Sequence, residues 1–207
     1  MLLYYITDRT QFAGNEQERS AALVARAVEA ARCGLDYVQV REKDLPTAKL
    51  EKLARAIVER VRDANPSTRV LINSRTDIAL ATGADGVHLR SNDVSPQDVK
   101  KNWRAVGRES APVIGVSCHT AHDLLAATQA QATFAVFGPV FKKAGSSAAG
   151  IEALRSACQS ELPVLALGGV TTENARLCVQ AGAAGIAGIR LFQQGDLKEV
   201  VEQLRRI

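Results

Sequence analysis

Three polar residues at alternate positions, Gln39, Arg41 and Lys43, lie at the end of an apolar run and are candidates for binding an anion. Because side chains alternate along a strand, these three residues would share one face. Two converging cations at a strand tip are costly to remove from water unless an anion lies nearby. We therefore predict an anion site here. The alternative is a surface cluster of ion pairs with Glu42 and Asp44.

Glycines end two later apolar runs, at Gly168 and Gly169 and at Gly188, which is followed by Ile189 and Arg190. Glycine allows a phosphate to approach backbone N–H groups closely. The guanidinium of Arg190, on the same strand face as Gly188, could hold the same anion through two hydrogen bonds. We predict a phosphate site here; the alternative is that the glycines only relieve crowding.

Ser117 and His119 occupy one face at the end of another run. A histidine at such a position can act as an acid or a base near neutral pH, so we predict that His119 is catalytic. A purely structural histidine is the alternative, and a hydrogen-bonded core role is the interpretation for His88. Asp93, in a polar loop, is a weak magnesium ligand by itself.

These residues must be positioned by short apolar runs that alternate with amphipathic stretches. Such alternation predicts a parallel sheet. Eight repeats in 207 residues favour a single closed (β/α)8 TIM barrel over an open doubly wound sheet. In such a barrel the site lies at the C-terminal ends of the strands. The predicted strands are Leu2–Thr7, Tyr37–Val40, Arg69–Asn73, Gly86–Leu89, Val113–Ser117, Phe134–Val140, Val164–Val170 and Gly185–Arg190.

Composition narrows the class of protein. Aromatic residues make up 4% of the chain, so we expect a core of Val, Ile, Leu and Ala. The net charge is +4, but the basic residues are scattered among acidic ones, which argues against a nucleic-acid partner. The four cysteines form no C-x-x-C pair, and the N-terminus resembles a strand rather than a signal peptide. We expect residues 1–207 to form a single cytoplasmic domain without a membrane-spanning segment. This domain could form a homodimer.

Motifs in order along nearly the whole chain resemble the thiamine phosphate synthases and their TenI-like relatives. The family is a compact (β/α)8 barrel, in agreement with the fold predicted above. The matching segments are Tyr5–Asp8 (YITD), Val38–Lys43 (VQVREK), Leu71–Asn73 (LIN), Arg75–Leu80 (RTDIAL), Gly83–Leu89 (GADGVHL), Ile114–Thr120 (IGVSCHT), Phe137–Phe141 (FGPVF) and Leu167–Val170 (LGGV).

In the synthases, the ring nitrogen of a thiazole phosphate displaces pyrophosphate from a pyrimidine methyl pyrophosphate, with Mg²⁺ as cofactor. The resemblance implies that Gln39 meets the pyrimidine. It also implies that the thiazole phosphate lies by Gly168, Gly169 and the end of the eighth strand. The residues it assigns to pyrophosphate or another anion are Arg41, Lys43, Asn73 and Ser117.

The chain departs from the synthase pattern at four places. Ser74 replaces the Asp of an Asn-Asp pair, Arg90-Ser91 replaces Gly-Gln, Lys142–Ser147 replaces a Thr-Pro-Thr-Lys loop, and Arg190 replaces a Ser. One magnesium carboxylate is therefore missing and Asp93 remains as the other. This loss weakens the prediction of pyrophosphate chemistry, because the charge of the leaving group needs compensation.

TenI-like proteins also lack the Asn-Asp pair and resemble thiazole tautomerases, which aromatise a carboxythiazole phosphate without a metal. On this interpretation His119 moves the proton, Arg41 and Lys43 hold the carboxylate, and Gly169 with Arg190 holds the phosphate. A tautomerase, an isomerase that needs no cofactor, is the favoured prediction. The alternatives are a divergent synthase, a transferase that uses Mg²⁺, and a non-catalytic regulatory barrel that binds a small phosphorylated heterocycle.

Overall fold

A computed structural model describes residues 1–90, 92–141 and 148–207, and its strands form a closed parallel barrel in sequential order. The eighth strand pairs with the first, with Leu2 opposite Gly185, and this pairing closes the sheet. The predicted (β/α)8 TIM barrel is therefore confirmed. The strands are β1 (Leu2–Ile6), β2 (Tyr37–Val40), β3 (Arg69–Asn73), β4 (Gly86–Leu89), β5 (Val113–Cys118), β6 (Phe134–Phe137), β7 (Val164–Leu167) and β8 (Gly185–Gly188).

Helices follow the strands and cover the outside of the barrel. Among the described residues, no helix combines the length and the apolar character needed to cross a membrane. The helices are α1 (Glu16–Arg32), α2 (Thr47–Ala64), α3 (Thr76–Thr82), α4 (Pro96–Ala105), α5 (Ala121–Gln129), α6 (Ile151–Ala157), α7 (Ala175–Gln180), α8 (Arg190–Gln193) and α9 (Leu197–Arg205).

The last three strands are shorter than the apolar runs that predicted them, since they end at Phe137, Leu167 and Gly188. Most of the residues that follow are apolar or glycine but lie outside the sheet, and apolar character does not distinguish a strand from a packed loop. The prediction for Arg190 was wrong in one respect. This residue does not share a strand face with Gly188 but begins α8, two residues after the end of β8.

Two apolar layers result from the alternation of side chains along the strands. Leu3 and Tyr5 point outwards and pack between the sheet and the helices. Tyr4 and Ile6 point inwards and fill the barrel. In β2 the same alternation places Val38 in the outer layer, as predicted.

The buried core is mostly Val, Ile, Leu and Ala, as expected, but three aromatic rings join the aliphatic side chains inside the barrel. The Tyr4 ring lies 5.7 Å from that of Tyr37 and 5.4 Å from that of Phe134, both edge to face. Gly115 makes room for them, because a Cβ there would lie 2.7 Å from the Phe134 ring and 2.8 Å from Nδ1 of His88. Tyr4, Tyr37 and Phe134 therefore pack together inside the barrel, whereas other aromatic residues, such as Tyr5 and Trp103, lie in the outer layer.

His88 is buried in this inner layer and is hydrogen-bonded at both ring nitrogens. Its Nδ1 lies 3.1 Å from the Tyr4 hydroxyl, and its Nε2 lies 2.9 Å from Oγ of Ser117. Burial, together with the nearby charge of Arg41, lowers the pKa of His88 to about 4. The histidine is therefore neutral at physiological pH.

Arg9 ties the chain after β1 to the chain after β2. Its buried guanidinium donates hydrogen bonds to Glu42 at 3.2 Å, to Asp44 at 2.6 Å and to Glu16 at 2.8 Å. Glu42 also accepts a hydrogen bond from the Thr7 hydroxyl at 2.6 Å. Burial raises the pKa of Glu42, and the hydrogen bonds from Thr7 and Arg9 oppose that rise. One arginine thus holds the carboxylates on both sides of Lys43.

We predict that Arg9→Gln lowers the free energy of unfolding by about 3–5 kcal/mol, because it leaves the Glu42 carboxylate buried without its counter-charge. Urea unfolding at neutral pH measures the loss. The matched control is Arg55→Gln, which breaks an exposed pair with Glu51 and should cost about 1 kcal/mol or less. Equal losses in the two variants would show that Arg9 is not the main brace of this corner.

We also predict that stability falls as the pH is lowered. The folded pKa of His88 is depressed, so its contribution is complete above the unfolded pKa of about 6.5 and is lost as the pH falls towards the folded value. Between about pH 6 and 5 the free energy of unfolding should drop by about 1 kcal/mol. Urea unfolding at each pH measures the slope.

His88→Gln should remove this contribution to the slope, whereas His122→Gln at an exposed histidine should keep it. The raised pKa of Glu42 acts in the opposite direction, so the comparison is between variants rather than with zero slope. An unchanged slope in His88→Gln would refute the assignment.

Candidate active site

A cavity of about 640 Å³ opens at the C-terminal ends of the strands. A volume of this size accommodates a small-molecule ligand. The cavity therefore brings together candidates that are far apart in the sequence. The predicted residues that line it are Gln39, Arg41, Lys43, Asn73, Ser117, Gly168, Gly169, Gly188, Ile189 and Arg190.

Cations form one wall of this cavity. Arg41, Lys43 and Arg90 all line it, and neither Arg41 nor Lys43 forms an ion pair within residues 1–90, 92–141 and 148–207. The carboxylates on either side of Lys43 are held by Arg9 instead. The charge of Arg41 lowers the pKa of Lys43, with smaller effects from desolvation and from Arg90. Crowded positive charge of this kind favours a bound anion.

The β7 and β8 side of the cavity is made of glycine backbone. Gly168 and Gly169 have φ angles of 99° and 70°, a region that favours glycine. A Cβ on Gly169 would lie 2.7 Å from that of Phe141, so these glycines relieve crowding as well as line the cavity. The amides of Gly169 and Arg190 donate no hydrogen bond to the described residues and are available to a ligand.

A chain of hydrogen bonds runs from the cavity to the rim. Nε2 of Gln39 donates to Oδ1 of Asn73 at 3.1 Å, Nδ2 of Asn73 donates to Oγ of Ser74 at 3.1 Å, and the Ser74 hydroxyl donates to Asp93 at 2.6 Å. Gln39 is almost fully buried, so its side-chain amide is held in one orientation. The chain links the predicted pyrimidine-binding residue to the predicted metal ligand.

The surroundings of Asp93 do not fit a magnesium ion held by the protein. Besides the Ser74 hydroxyl, its carboxylate accepts hydrogen bonds from the backbone N–H of Arg90 at 2.8 Å and from the guanidinium at 2.9 Å. Asp93 does not line the cavity. The described part of the chain contains no cluster of three or more His, Cys, Asp or Glu side chains that could ligate a metal. The Arg90 guanidinium already binds the Asp93 carboxylate, which a metal ion would need as a ligand.

His119 lies at the rim rather than in the described cavity. It is exposed, and its Nδ1 lies 2.6 Å from the carbonyl oxygen of Gly138. Since a carbonyl only accepts hydrogen bonds, Nδ1 of the neutral ring carries the proton and Nε2 is left as the basic atom. The predicted departure at Lys142–Ser147, which contains two lysines, lies outside the described residues.

Several residues outside the predicted set of site residues also line the cavity, and His88 and Arg90 are among them. A signal for both was present, because Gly86, His88 and Arg90 occupy alternate positions, the same pattern that identified Gln39 and Arg41. Gln11 and Gln194 also line the cavity. No sequence pattern points to these two, since Gln11 comes from the short 3₁₀ helix after β1 and Gln194 from the end of α8.

Comparisons with known proteins agree with this geometry. A family model described as thiamine monophosphate synthase matches residues 3–192. A protein named "Putative thiamine-phosphate synthase" from Geobacter sulfurreducens is 42% identical over 89% of this chain and 83% of its own. A "Thiamine-phosphate synthase" of Roseiflexus is 35% identical over 91% of this chain and 76% of its own.

A solved structure shows the same relationship. The thiamine phosphate pyrophosphorylase from Pyrococcus furiosus superposes with a TM-score of 0.82 at 28% identity, covering 99% of this chain and 94% of that one. Motifs, fold and relatives agree over most of the length, and the chain therefore belongs to the thiamine monophosphate synthase family.

Proposed function

We propose that this protein joins a pyrimidine methyl pyrophosphate to a thiazole phosphate and releases pyrophosphate. The observation that carries the proposal concerns two cations, Arg41 and Lys43, which form no ion pair with the described residues. Both line the same cavity as the glycine backbone of β7 and β8. Two anionic groups, a pyrophosphate and a phosphate, match these two parts of the cavity. The names of the relatives support the same reaction.

The reaction forms a bond between the thiazole nitrogen and the methylene carbon of the pyrimidine. The bond from that carbon to the pyrophosphate oxygen breaks, and its electron pair leaves with the pyrophosphate. Arg41 and Lys43, with Arg90 beside them, would stabilise this growing negative charge. These cations are in place before the substrate arrives, so they need no reorganisation during the reaction.

Other residues would orient the two rings. Nε2 of Gln39 is engaged by Asn73, which leaves its carbonyl oxygen to accept a hydrogen bond from the pyrimidine. The amides of Gly169 and Arg190 and the Arg190 guanidinium would bind the phosphate of the thiazole. Holding both substrates in one cavity turns a bimolecular reaction into an effectively unimolecular one.

We predict that Arg41→Gln lowers kcat/KM for pyrophosphate release by about 10²–10³-fold, the usual cost of removing one group that stabilises transition-state charge. The assay measures pyrophosphate from both substrates, in Mg²⁺ and in EDTA. Arg60→Gln, an equal change of charge at an exposed helix position, is the matched control and should leave the rate unchanged.

Absence of pyrophosphate release by the wild type at saturating substrates, with and without Mg²⁺, would exclude this reaction. Equal rates in Arg41→Gln and Arg60→Gln would show that the cation wall does not take part. A strict requirement for Mg²⁺ would show that the cation wall alone does not compensate the charge of the leaving pyrophosphate.

A second candidate is the thiazole tautomerase reaction, and the position of His119 favours it. The hydrogen bond to Gly138 orients the ring and leaves Nε2 free to move a proton. The engagement of Asp93 by Arg90 and Ser74 also suits a reaction that needs no metal. On this interpretation Arg41 and Lys43 hold the carboxylate of the thiazole.

For this candidate we predict that His119→Asn lowers the rate of aromatisation, measured in EDTA, by about 10²–10⁴-fold, the usual contribution of an acid–base group. The control, His122→Asn, changes another exposed histidine three residues away. Wild-type turnover in His119→Asn would remove the case for the tautomerase. Ligand binding without turnover in either assay would instead indicate a non-catalytic, regulatory protein.

A further inference from the structure

A line of hydrogen bonds begins in the core and ends at the cavity. Tyr4 is completely buried and does not line the cavity, whereas His88 and Ser117 both do. The Tyr4 hydroxyl lies 3.1 Å from Nδ1 of His88, and Nε2 of His88 lies 2.9 Å from Oγ of Ser117. The line therefore joins a core residue to the ligand space through one imidazole ring.

The direction of these hydrogen bonds follows from the available partners. Nδ1 of His88 is the one acceptor that the described residues offer to the Tyr4 hydroxyl. If Nδ1 carried a proton, the hydroxyl proton of Tyr4 would be buried without an acceptor, which is unfavourable. The Tyr4 hydroxyl therefore donates to Nδ1, and the neutral ring carries its proton on Nε2.

The direction at Ser117 follows in turn. With its proton on Nε2, His88 donates to the oxygen of Ser117, so the serine hydroxyl cannot donate back to the ring. The described residues offer this hydroxyl no other acceptor, and Ser117 faces the cavity beside Gln39 and Arg41. Its proton is therefore directed at the ligand.

We propose that Tyr4 and His88 are positioning residues that hold the Ser117 hydroxyl as a hydrogen-bond donor to an oxyanion of the bound ligand. The neighbouring cations, Arg41 and Lys43, select an anion as the acceptor. Gly115 leaves room for the imidazole in this position, because a Cβ there would lie 2.8 Å from Nδ1. The depressed pKa of His88, about 4, keeps the ring neutral and the direction constant across physiological pH.

This inference rests on the proposed function only for its anionic ligand class, and its test needs no turnover. The first measurement is the protonation of His88 in the wild type, from long-range ¹H–¹⁵N NMR spectra at neutral pH, assigned with His88→Gln. A proton on Nε2 and an unprotonated Nδ1 are expected. A proton on Nδ1 would overturn the proposal.

The second measurement is binding of inorganic pyrophosphate, by calorimetry at fixed ionic strength in EDTA. We expect Ser117→Ala to weaken binding about 10-fold, because a hydrogen bond to a charged group is lost. Tyr4→Phe removes one buried hydroxyl without changing the cavity lining and should weaken binding about 3-fold. The double variant should bind like Ser117→Ala, because Tyr4 acts through Ser117.

A purely structural role for Tyr4 predicts a different pattern, in which Tyr4→Phe weakens binding equally with and without the serine. That additive result would overturn the proposal, as would a wild type that binds no pyrophosphate. If Tyr4→Phe does not fold, the NMR measurement on the wild type still decides. A positive result here with no turnover in the assays above would refute the proposed reaction and leave this inference standing.

Discussion

The electrostatics of the barrel mouth depend on one arginine that is not in the cavity. Arg9 binds Glu42 and Asp44, the two carboxylates that alternate in sequence with Arg41 and Lys43. Arg41 and Lys43 are therefore left unpaired in the described structure and face the cavity. Because Arg9 neutralises the carboxylates of Glu42 and Asp44, the positive charge of Arg41 and Lys43 remains available to a ligand in the cavity.

The closed sheet converts this local arrangement into a site. Alternation along each strand sends every second side chain inwards, and closure makes those side chains meet. Beneath the cavity, the Tyr4 ring packs against both His88 and Phe134, and the far nitrogen of His88 contacts Ser117. The ligand space is therefore continuous with the polar and aromatic core rather than placed on top of it.

The charge at the barrel mouth is where this chain departs from the synthase pattern that it resembles. The chain has Ser74 where the synthases that it resembles have an aspartate, and the remaining Asp93 is bound by Arg90. Positive charge from a fixed guanidinium thus lies where the family pattern implies carboxylates for a metal ion. A guanidinium and a metal ion held by carboxylates are two ways of compensating the charge of pyrophosphate. Which of the two operates distinguishes the candidate reactions.

Much of this protein follows from local sequence patterns. The alternation of Gln39, Arg41 and Lys43 predicted a shared face, and all three line the cavity. The alternating runs predicted a closed barrel of eight strands, which the structure confirms. These features are visible in the sequence because strand and helix periodicities are properties of neighbouring residues.

The remaining features depend on contacts between distant parts of the chain, and only the tertiary structure decided them. Arg9 meets Glu42 across 33 residues, and Tyr4 meets His88 across 84 residues. Arg190 lies in a helical turn rather than on the strand, because β8 ends earlier than its apolar run, and His119 lies at the rim, one residue after the end of β5. Periodicity determines which way a side chain faces, but barrel closure and loop packing determine what it meets.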